Sequence, residues 1–334
     1  MMLNPTHSCL IDNFSRKATY LRISVTDRCN LRCRYCAPSM PRQMAADKLM
    51  TWPEMLRLVQ VGISLGINKV RLTGGEPLCR EGISDFIREL TSFEALKDIS
   101  LTTNGTLLDG HARDLKNAGL KRINISLDTL DPNRFRELTR FDHFDAVWRG
   151  IMTAADLGFS PVKINMVVMR GFNDDEVEQM AKLSMRYPFH IRFIEYMPIG
   201  TDPSESQNHF VSIGEIRDRL NRIAPLSPVP GTGLDGPATR YRFAEAPGEI
   251  GLIGSMSAHF CATCNRLRLT AGGGLRPCLL SEETTDLLSP LRGGASDAGL
   301  AALFTRTIRR KKEKHQMDFT KHRILKTKMV SIGG

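Results

Sequence analysis

Three cysteines within one short loop constrain this chain more than any other feature. Cys29, Cys33 and Cys36 have Cys-x3-Cys-x2-Cys spacing and follow an apolar alternating run, residues 20–25, that predicts a β-strand. A tight loop with three thiolates can hold iron on three corners of a cube-shaped cluster and leave the fourth iron without a protein ligand. Such an open iron can bind a substrate or cosubstrate directly, whereas a closed site transfers electrons or stabilises a fold.

The same motif resembles the signature of the radical S-adenosylmethionine superfamily, in which an aromatic residue, here Tyr35, precedes the third cysteine. The resemblance implies a [4Fe–4S] cluster whose open iron binds S-adenosylmethionine. It also implies that one electron cleaves the sulfonium bond and releases a 5′-deoxyadenosyl radical, which abstracts hydrogen from a substrate. A structural zinc site completed by His7 or Cys9, or paired disulfides, remains an alternative.

Composition limits where such a chain can work and what it can bind. Six of the eight cysteines fall into two clusters, which favours metal ligation in a reducing compartment and predicts a cytoplasmic protein. No apolar run approaches roughly 18 residues, and residues 1–13 lack a secretory pattern, so no membrane association is expected. The net charge of +10 indicates an anionic partner, although part of it is a basic block at residues 309–312. Nucleic acid therefore remains an alternative to a phosphorylated small molecule.

Alternating apolar and helical patterns between residues 20 and 196 predict a parallel sheet with helices outside it. The fold class that follows is α/β, an incomplete (βα)6 TIM-type barrel with a C-terminal extension that carries a second cysteine cluster, and an open doubly wound sheet is the alternative. Functional residues are expected at the carboxyl ends of the strands. The six predicted strands are Tyr20–Val25, Lys69–Thr73, Asp98–Thr102, Arg122–Leu127, Val162–Val168 and His190–Ile194.

Polar residues or glycines lie at or near the end of each later strand. Gly74 and Gly75 allow backbone to approach a ligand, and Lys163 is costly on a barrel strand unless it is paired or functional. A structural role remains the alternative for each of the others. The candidates are Arg71, Gly75, Thr102, Ser126, Asp128, Lys163, Asn165 and Arg192. Met197, which by itself indicates a core position, is a candidate only through the resemblance.

A second triad, Cys261, Cys264 and Cys278, has Cys-x2-Cys-x13-Cys spacing. Arg266–Thr270 and Leu275–Pro277 are expected to form a hairpin about three glycines. Three thiolates again imply an incomplete metal site, and a structural zinc site completed by His259 remains an alternative.

The two triads, the Arg266-Leu267-Arg268 segment and the terminal Gly333-Gly334 together resemble the GTP 3′,8-cyclase family of molybdenum cofactor biosynthesis. The resemblance spans residues 21–334. Two departures are visible: Ala37 stands where the family usually has Met, and Cys79 stands where an aliphatic residue is usual. Neither departure removes a predicted ligand.

The resemblance implies two [4Fe–4S] clusters, with S-adenosylmethionine at the first and the guanine of GTP at the second. It implies abstraction of the ribose C3′ hydrogen and closure of a C3′–C8 bond, with the Gly-Gly tail in the active site. Further partners are a flavodoxin- or ferredoxin-type electron donor and cyclic pyranopterin monophosphate synthase, which takes the product, and a homodimer is left open. The implied S-adenosylmethionine contacts are Tyr35, Gly75, Ser126 and Met197, and the implied GTP contacts are Arg22, Arg71, Thr102, Lys163, Arg266, Leu267 and Arg268.

A Pro/Gly-rich connector at residues 224–231 predicts a boundary, with the partial barrel in residues 1–223 and the cluster-binding extension in residues 224–334. Two other functions stay open on the sequence. One is another two-cluster radical enzyme, such as a peptide maturase, and the other is an iron–sulfur protein that binds nucleic acid through its basic surface.

Overall fold

The computed structural model describes residues 9–36, 43–199, 207–231, 236–317, 325, 327 and 329–333. The strands in these ranges are β1 (Tyr20–Ser24), β2 (Lys69–Thr73), β3 (Asp98–Thr103), β4 (Arg122–Ser126), β5 (Val162–Val168), β6 (His190–Glu195), β7 (Leu226–Pro228), β8 (Thr239–Phe243), β9 (Glu249–Ile253), β10 (Arg266–Leu269), β11 (Gly274–Arg276) and β12 (Thr285–Asp286). The helices are α1 (Trp52–Ser64), α2 (Ile83–Thr91), α3 (Leu108–Asn117), α4 (Pro132–Thr139), α5 (Phe144–Asp156), α6 (Val177–Arg186), α7 (Ile213–Asn221), α8 (Leu288–Arg292), α9 (Asp297–Arg309) and α10 (Met329–Ile332).

The six predicted strands are all present and pair in parallel in the order of the chain, from β1 to β6. Strands β2 and β5 have the predicted bounds, and the other four differ from them by one residue at the C-terminal end. Helices connect successive strands, so the predicted incomplete (βα)6 barrel is confirmed. The strands are buried on both faces, as expected for a parallel sheet covered by helices.

The sheet does not end at the sixth strand. Strand β9 pairs in parallel with β6, and β10 pairs in parallel with β1, so residues from the C-terminal third flank both edges of the six-stranded unit. The full order is β12-β11-β10-β1-β2-β3-β4-β5-β6-β9-β8-β7. The hydrogen-bonded sheet thus crosses residue 223, and the division into residues 1–223 and 224–334 stays a prediction.

The helices cover the sheet through apolar stripes that the sequence pattern predicts. In α1 the predicted stripe Met55, Leu58, Val59 and Gly62 is buried, and a capping box of Thr51 and Glu54 fixes the start of the helix. In α6 the residues with the same sequence spacing, Val177, Met180, Ala181 and Ser184, are buried as well. Among the described residues, no helix combines the length and apolarity needed to cross a bilayer.

Candidate active site

An inner cavity of about 300 Å³ runs along the carboxyl ends of the parallel strands and beside β10. It is lined by both cysteine triads and by most of the residues predicted to bind ligands. Three groups far apart in sequence therefore share one space. The predicted site residues on its wall are Arg22, Cys29, Cys33, Tyr35, Cys36, Arg71, Gly75, Thr102, Ser126, Met197, Cys261, Cys264, Arg266, Arg268 and Cys278.

The first triad lies on the loop after β1, and two hydrogen-bond donors contact the sulfur of its first cysteine. The Leu31 amide and the Asn104 side-chain amide donate to Cys29 Sγ, at 3.4 and 3.7 Å. Burial raises the pKa of all three thiols, that of Cys36 to about 12. A buried cysteine is stable as a thiolate only when a positive charge compensates it. Three buried cysteines on one wall therefore fit the ligand set of a metal cluster.

Gly74 and Gly75 pack against the backbone at the start of this loop. A Cβ on Gly75 would lie 2.3 Å from the carbonyl oxygen of Arg28, and a Cβ on Gly74 would lie 2.6 Å from that of Thr26. The Gly75 amide donates to Thr26 O at 2.8 Å. These two positions require glycine because their backbone packs directly against the segment that leads into the cysteine loop. The prediction from the sequence attributed the glycines to contact with a ligand alone.

Glu76 follows these glycines and is fully buried, yet the sequence analysis did not single it out. Its carboxylate accepts hydrogen bonds from the Asn104 amide at 2.6 Å and from Thr103 Oγ1 at 2.7 Å. Burial raises the pKa of Glu76 to about 7. Because Asn104 in turn donates to Cys29 Sγ, Glu76 positions a residue that touches the first triad. Its place directly after the two glycines was the available signal.

Asp128, which is buried, and Tyr35, which is half-buried, form a pair beside the first triad. Tyr35 donates its hydroxyl hydrogen to Asp128 Oδ2 at 2.7 Å, and the Val167 amide donates to Asp128 Oδ1 at 2.8 Å. Burial raises the pKa of Asp128 to about 6. The arrangement connects β4, β5 and the cysteine loop, and it holds the tyrosine ring at the cavity wall.

Arginines from three neighbouring strands form a row across the cavity wall. Arg22 of β1 lies in register with Arg71 of β2 and with Arg268 of β10. Burial and the charge of Arg268 lower the pKa of Arg22 well below its usual value, and burial and Arg266 lower that of Arg268 to about 10. Like charges held this close in a buried site favour a polyanion as the bound ligand.

Lys163 lies on β5, between β4 and β6, and does not line the inner cavity. It is 7% exposed, and burial together with Arg192 and Arg71 lowers its pKa to about 6. In the structure as it stands, the amine is therefore mostly neutral above pH 7. The predicted candidates Arg192 of β6 and Asn165 of β5 both line the cavity.

The second triad sits where β10 begins and β11 ends. Burial alone would raise the pKa of Cys264, but the charges of Arg266 and Lys311 and hydrogen bonds from Arg266 lower it to about 6. Lys311 also donates to the carbonyl oxygens of Arg266 and Pro277, at 2.6 and 3.1 Å. Cys264 is therefore largely a thiolate at neutral pH, the form in which cysteine binds metals. The predicted hairpin of β10 and β11 is present.

The predicted zinc alternative would use His259. Its Nδ1 lies 3.1 Å from Ser255 O, and its ring packs edge-on against His315 with centroids 4.4 Å apart. His315 rather than His259 lines the inner cavity. Among the described residues, no three His, Cys, Asp or Glu side chains are grouped as ligands of a single metal ion.

The C-terminal tail reaches the row of arginines. Gly333 O accepts a hydrogen bond from Arg268 Nη1 at 2.6 Å. Gly333 has φ +68°, and a Cβ there would lie 2.4 Å from Thr73 Oγ1, so only glycine fits this position. Gly334 and Ala37 lie outside the described residues.

Of two further predicted GTP contacts, Thr102 and Leu267, only the first has its side chain at the cavity. Thr102 lines it, and its hydroxyl oxygen is buried with no hydrogen-bond partner among the described residues. Such a hydroxyl is suited to a bound ligand. Leu267 alternates with Arg266 and Arg268 along β10, and its side chain is fully buried in the hydrophobic core. The structure therefore does not bring the Leu267 side chain to the cavity.

Comparisons with known proteins show which family the chain belongs to. Residues 23–184 match the family model described as "Radical SAM superfamily", and residues 189–317 match the one described as "Molybdenum Cofactor Synthesis C". The chain is 47% identical over 308 residues to a GTP 3′,8-cyclase of Moorella thermoacetica, covering 92% of this chain and 95% of that protein. It is 45% identical to the GTP 3′,8-cyclase of Thermodesulfovibrio yellowstonii, covering 97% of this chain and 99% of that protein.

Among solved structures, the fold is similar to that of Streptococcus suis SuiB bound to S-adenosylmethionine. The TM-score is 0.59 at 16% sequence identity, over 86% of this chain and 68% of SuiB. At this identity the likeness concerns the fold alone. The sequence identity to the curated cyclases, over nearly the whole length of both proteins, shows that the chain belongs to the GTP 3′,8-cyclase family of radical S-adenosylmethionine enzymes.

Proposed function

We propose that this radical S-adenosylmethionine GTP 3′,8-cyclase divides its reaction between two metal centres that face one cavity. The family reaction is the first step of molybdenum cofactor biosynthesis. It converts GTP and S-adenosylmethionine to (8S)-3′,8-cyclo-7,8-dihydroguanosine 5′-triphosphate, 5′-deoxyadenosine and methionine. The observation that carries the proposal is that two cysteine triads and a row of arginines line the same inner cavity.

Cys29, Cys33 and Cys36 would hold the [4Fe–4S] cluster that binds S-adenosylmethionine. When bound, the two groups supply a 5′-deoxyadenosyl radical. The chain's own residues position them: Glu76 and Asn104 orient the cysteine loop through the contacts described above. The residues proposed to bind S-adenosylmethionine are Tyr35, Gly75, Ser126 and Met197, all on the cavity wall.

Cys261, Cys264 and Cys278 would hold the second [4Fe–4S] cluster. Arg266 and Lys311 support the thiolate of Cys264 through charge and hydrogen bonds, which favours metal binding at neutral pH. This triad lines the same cavity as the arginines, which would leave its open iron to the guanine of GTP.

The cation row would bind the triphosphate of GTP. Arg forks match phosphate oxygens in pairs, and several cations are needed to offset the charge of a triphosphate. The proposed contacts are Arg22, Arg71, Thr102, Lys163, Arg266, Leu267 and Arg268, with Leu267 acting through its backbone. The Gly333-Gly334 tail would act as a catalytic element, since Gly333 reaches Arg268.

The remaining partners follow from the reaction. A flavodoxin- or ferredoxin-type protein would donate the electrons, and cyclic pyranopterin monophosphate synthase would consume the product. A cytoplasmic location agrees with eight cysteines that are all free thiols in the structure.

Anaerobic reconstitution tests the whole proposal. We expect about eight iron and eight sulfide per chain, and 5′-deoxyadenosine formation that depends on GTP. One cluster per chain, or stoichiometric zinc after anaerobic purification, would contradict the two-cluster assignment. Formation of 5′-deoxyadenosine with a peptide in place of GTP would favour a maturase.

Single cysteine variants test the division of roles. Cys33→Ala should abolish S-adenosylmethionine cleavage, because the cosubstrate binds the first cluster. Cys264→Ala should retain cleavage in part but weaken GTP binding and product formation. Normal GTP affinity and full product from Cys264→Ala would show that the second cluster is structural.

A further inference from the structure

A second, smaller cleft lies on the outer side of the second cysteine triad. This outer cleft has a volume of about 90 Å³ and is lined by residues 277–283 in part, residues 310–316 in part, and Arg16. Cys261, Cys264, Cys278 and His315 line both the outer cleft and the inner cavity. The second triad is therefore a wall between the two spaces, and it can be approached from outside while the inner cavity is occupied.

The outer cleft is strongly basic. Five basic side chains line it, against two acidic ones, Glu282 and Glu283. Arg310, Lys312 and Lys314 are exposed, and all three lie at or just after the end of α9. They include half of the basic block at residues 309–312, which the nucleotide site described above does not use.

The buried cation of Arg16 holds this basic segment against the cysteines. Arg16 is 8% exposed, pairs with Asp12 at 2.5 Å, and donates to Cys261 O at 2.7 Å. The same guanidinium donates to the carbonyl oxygens of Lys312 and Glu313, at 2.6 and 2.7 Å. The segment that carries the exposed cations is thus fastened to the backbone of the second triad and does not need to be ordered by a partner.

We propose that the outer cleft is the docking site of an acidic protein that carries single electrons. This inference rests on the proposed function, because it takes the second triad to hold a redox-active cluster. A volume of about 90 Å³ is too small for a nucleotide, since small-molecule sites measure about 300–1,000 Å³. Exposed cations on an ordered segment around such a small cleft are complementary to an acidic protein surface. Their charge would also attract that surface as the partner approaches.

The cysteines that line the cleft indicate that the partner is an electron carrier. A carrier docked there would stand next to Cys261, Cys264 and Cys278 without entering the inner cavity. The reaction between the two proteins is a transfer of one electron. The reduced carrier is oxidised by one electron, and the enzyme is reduced by one electron. No atom is transferred, and the carrier then dissociates to be reduced again.

The test combines a charge-reversed variant with two electron sources. The variant carries Arg310→Glu, Lys312→Glu and Lys314→Glu in the full-length, two-cluster enzyme, and none of these residues lines the inner cavity. With reduced flavodoxin, we expect the flavodoxin Kd to rise about ten-fold or more and turnover at low flavodoxin to fall accordingly. With dithionite, turnover and GTP affinity should be unchanged. The wild-type Kd should also rise with salt, since exposed charges are screened over about 8 Å at 0.15 M ionic strength.

A matched control reverses three exposed cations elsewhere, Arg113→Glu, Lys121→Glu and Arg149→Glu, which line neither cavity. This variant has the same net charge and should bind flavodoxin like wild type apart from a small uniform loss. Equal weakening by both variants would overturn the proposal, because net charge alone would then explain it. An unchanged flavodoxin Kd, or a weakened affinity for duplex DNA in place of flavodoxin, would overturn it as well.

The dithionite arm separates this inference from the proposed function. Equal losses with dithionite and flavodoxin would show that the three cations support catalysis and do not form a docking site. A milder variant, Lys312→Gln with Lys314→Gln, guards against misfolding and should show the same selectivity for flavodoxin with a smaller Kd change. Thermal unfolding at the wild-type temperature would verify that both variants are folded.

Discussion

At the scale of single residues, the site is governed by the cost of burying like charges together. Arg22, Arg71 and Arg268 lie side by side on three strands. Burial, followed by the charges of Arg192 and Arg71, lowers the pKa of Lys163 on β5 to about 6. Such a cluster is unfavourable until an anion arrives. Ligand binding and protonation are therefore coupled in this pocket.

The pKa of Lys163 predicts the direction in which GTP affinity changes with pH. A triphosphate favours the charged amine, so GTP binding should raise the pKa of Lys163 from about 6 towards its usual 10.5. Between pH 7.5 and 9 the free enzyme lacks this proton and the complex has it. Binding therefore takes up close to one proton, and affinity falls as pH rises, by up to about ten-fold per pH unit. Calorimetry in buffers of different ionisation enthalpy measures the uptake.

Two variants control for other groups that titrate. Lys163→Met should bind GTP more weakly and lose the proton uptake, whereas Lys163→Arg should stay charged and lose the uptake while keeping more of the affinity. Above pH 7.5 a phosphate group, with a pKa near 6, contributes little. Unchanged proton uptake in Lys163→Met would exclude this lysine as its source.

Arg266 and Arg268 have separable tasks, although they are two positions apart on one strand. Arg266 supports the thiolate of Cys264, and Arg268 donates to Gly333 O. A charge-assisted hydrogen bond is worth roughly 1.5–3 kcal/mol, so either Ala variant should weaken GTP binding about ten-fold or more. Only Arg266→Ala should also change the absorption and electron paramagnetic resonance spectra of the second cluster. Unchanged GTP affinity in both folded variants would refute their assignment to the nucleotide.

At the scale of elements, the loops after the strands depend on each other for their shape. The cysteine loop rests on Gly74 and Gly75, and its Arg32 and Arg34 amides donate to the end of α4 at 2.9 and 3.0 Å. Glu195, at the end of β6, accepts from the Ile213 amide that begins α7 and from the Met256 amide of the loop before the second triad. Buried carboxylates thus fasten both cysteine loops to the sheet.

The C-terminal tail is the element whose removal should be most selective. Deletion of Gly333 and Gly334 removes the contact to Arg268, so product formation should fall by roughly ten-fold or more while both clusters and the fold remain. Gly333→Ala should have a similar effect, because its φ of +68° and its contact with Thr73 leave no room for a Cβ. Product yield and iron content measured on the same sample check both statements.

Gly294→Ala provides the matched control for the tail. Gly294 also has a left-handed φ, +82°, but a Cβ there would meet nothing within 4 Å. This variant should show a similar backbone strain without loss of product. Full activity of the tail-deleted enzyme would show that the two glycines are only the end of the chain.

At the scale of the whole molecule, the C-terminal third completes the sheet of the N-terminal part. Strands β9 and β10 cover the edges of β6 and β1, and Leu252, Leu267 and Leu269 belong to the same hydrophobic core as the first six strands. A chain cut at residue 223 would expose two parallel edges and that apolar surface.

Truncation at residue 223 should therefore not yield a stable domain. We expect residues 1–223 to aggregate on size-exclusion chromatography and to lack the cooperative unfolding transition of the full chain. Co-expression with residues 224–334 should rescue solubility if the two parts recognise each other through the strand edges. A monomeric, cooperatively unfolding 1–223 fragment would support an independent domain boundary.

The sequence by itself determined the features that have a local cause. Thiolate spacing indicated both metal sites, the six strands followed from short apolar runs between helices, and the stripes of α1 and α6 followed from helical periodicity. The hairpin of β10 and β11 followed from its glycines. Each of these depends on residues close together in the chain, where pattern and backbone geometry are directly related.

Only the tertiary structure decided which distant residues meet. The pairing of β10 with β1 joins residues about 245 positions apart, and no local periodicity encodes it. That pairing places Arg268 beside Arg22, brings both triads to one cavity and creates the outer cleft behind the second. The pKa of Lys163 and the support that Glu76 gives to Cys29 through Asn104 arise in the same way. Burial and the sum of neighbouring charges exist only once the sheet has brought separate strands together.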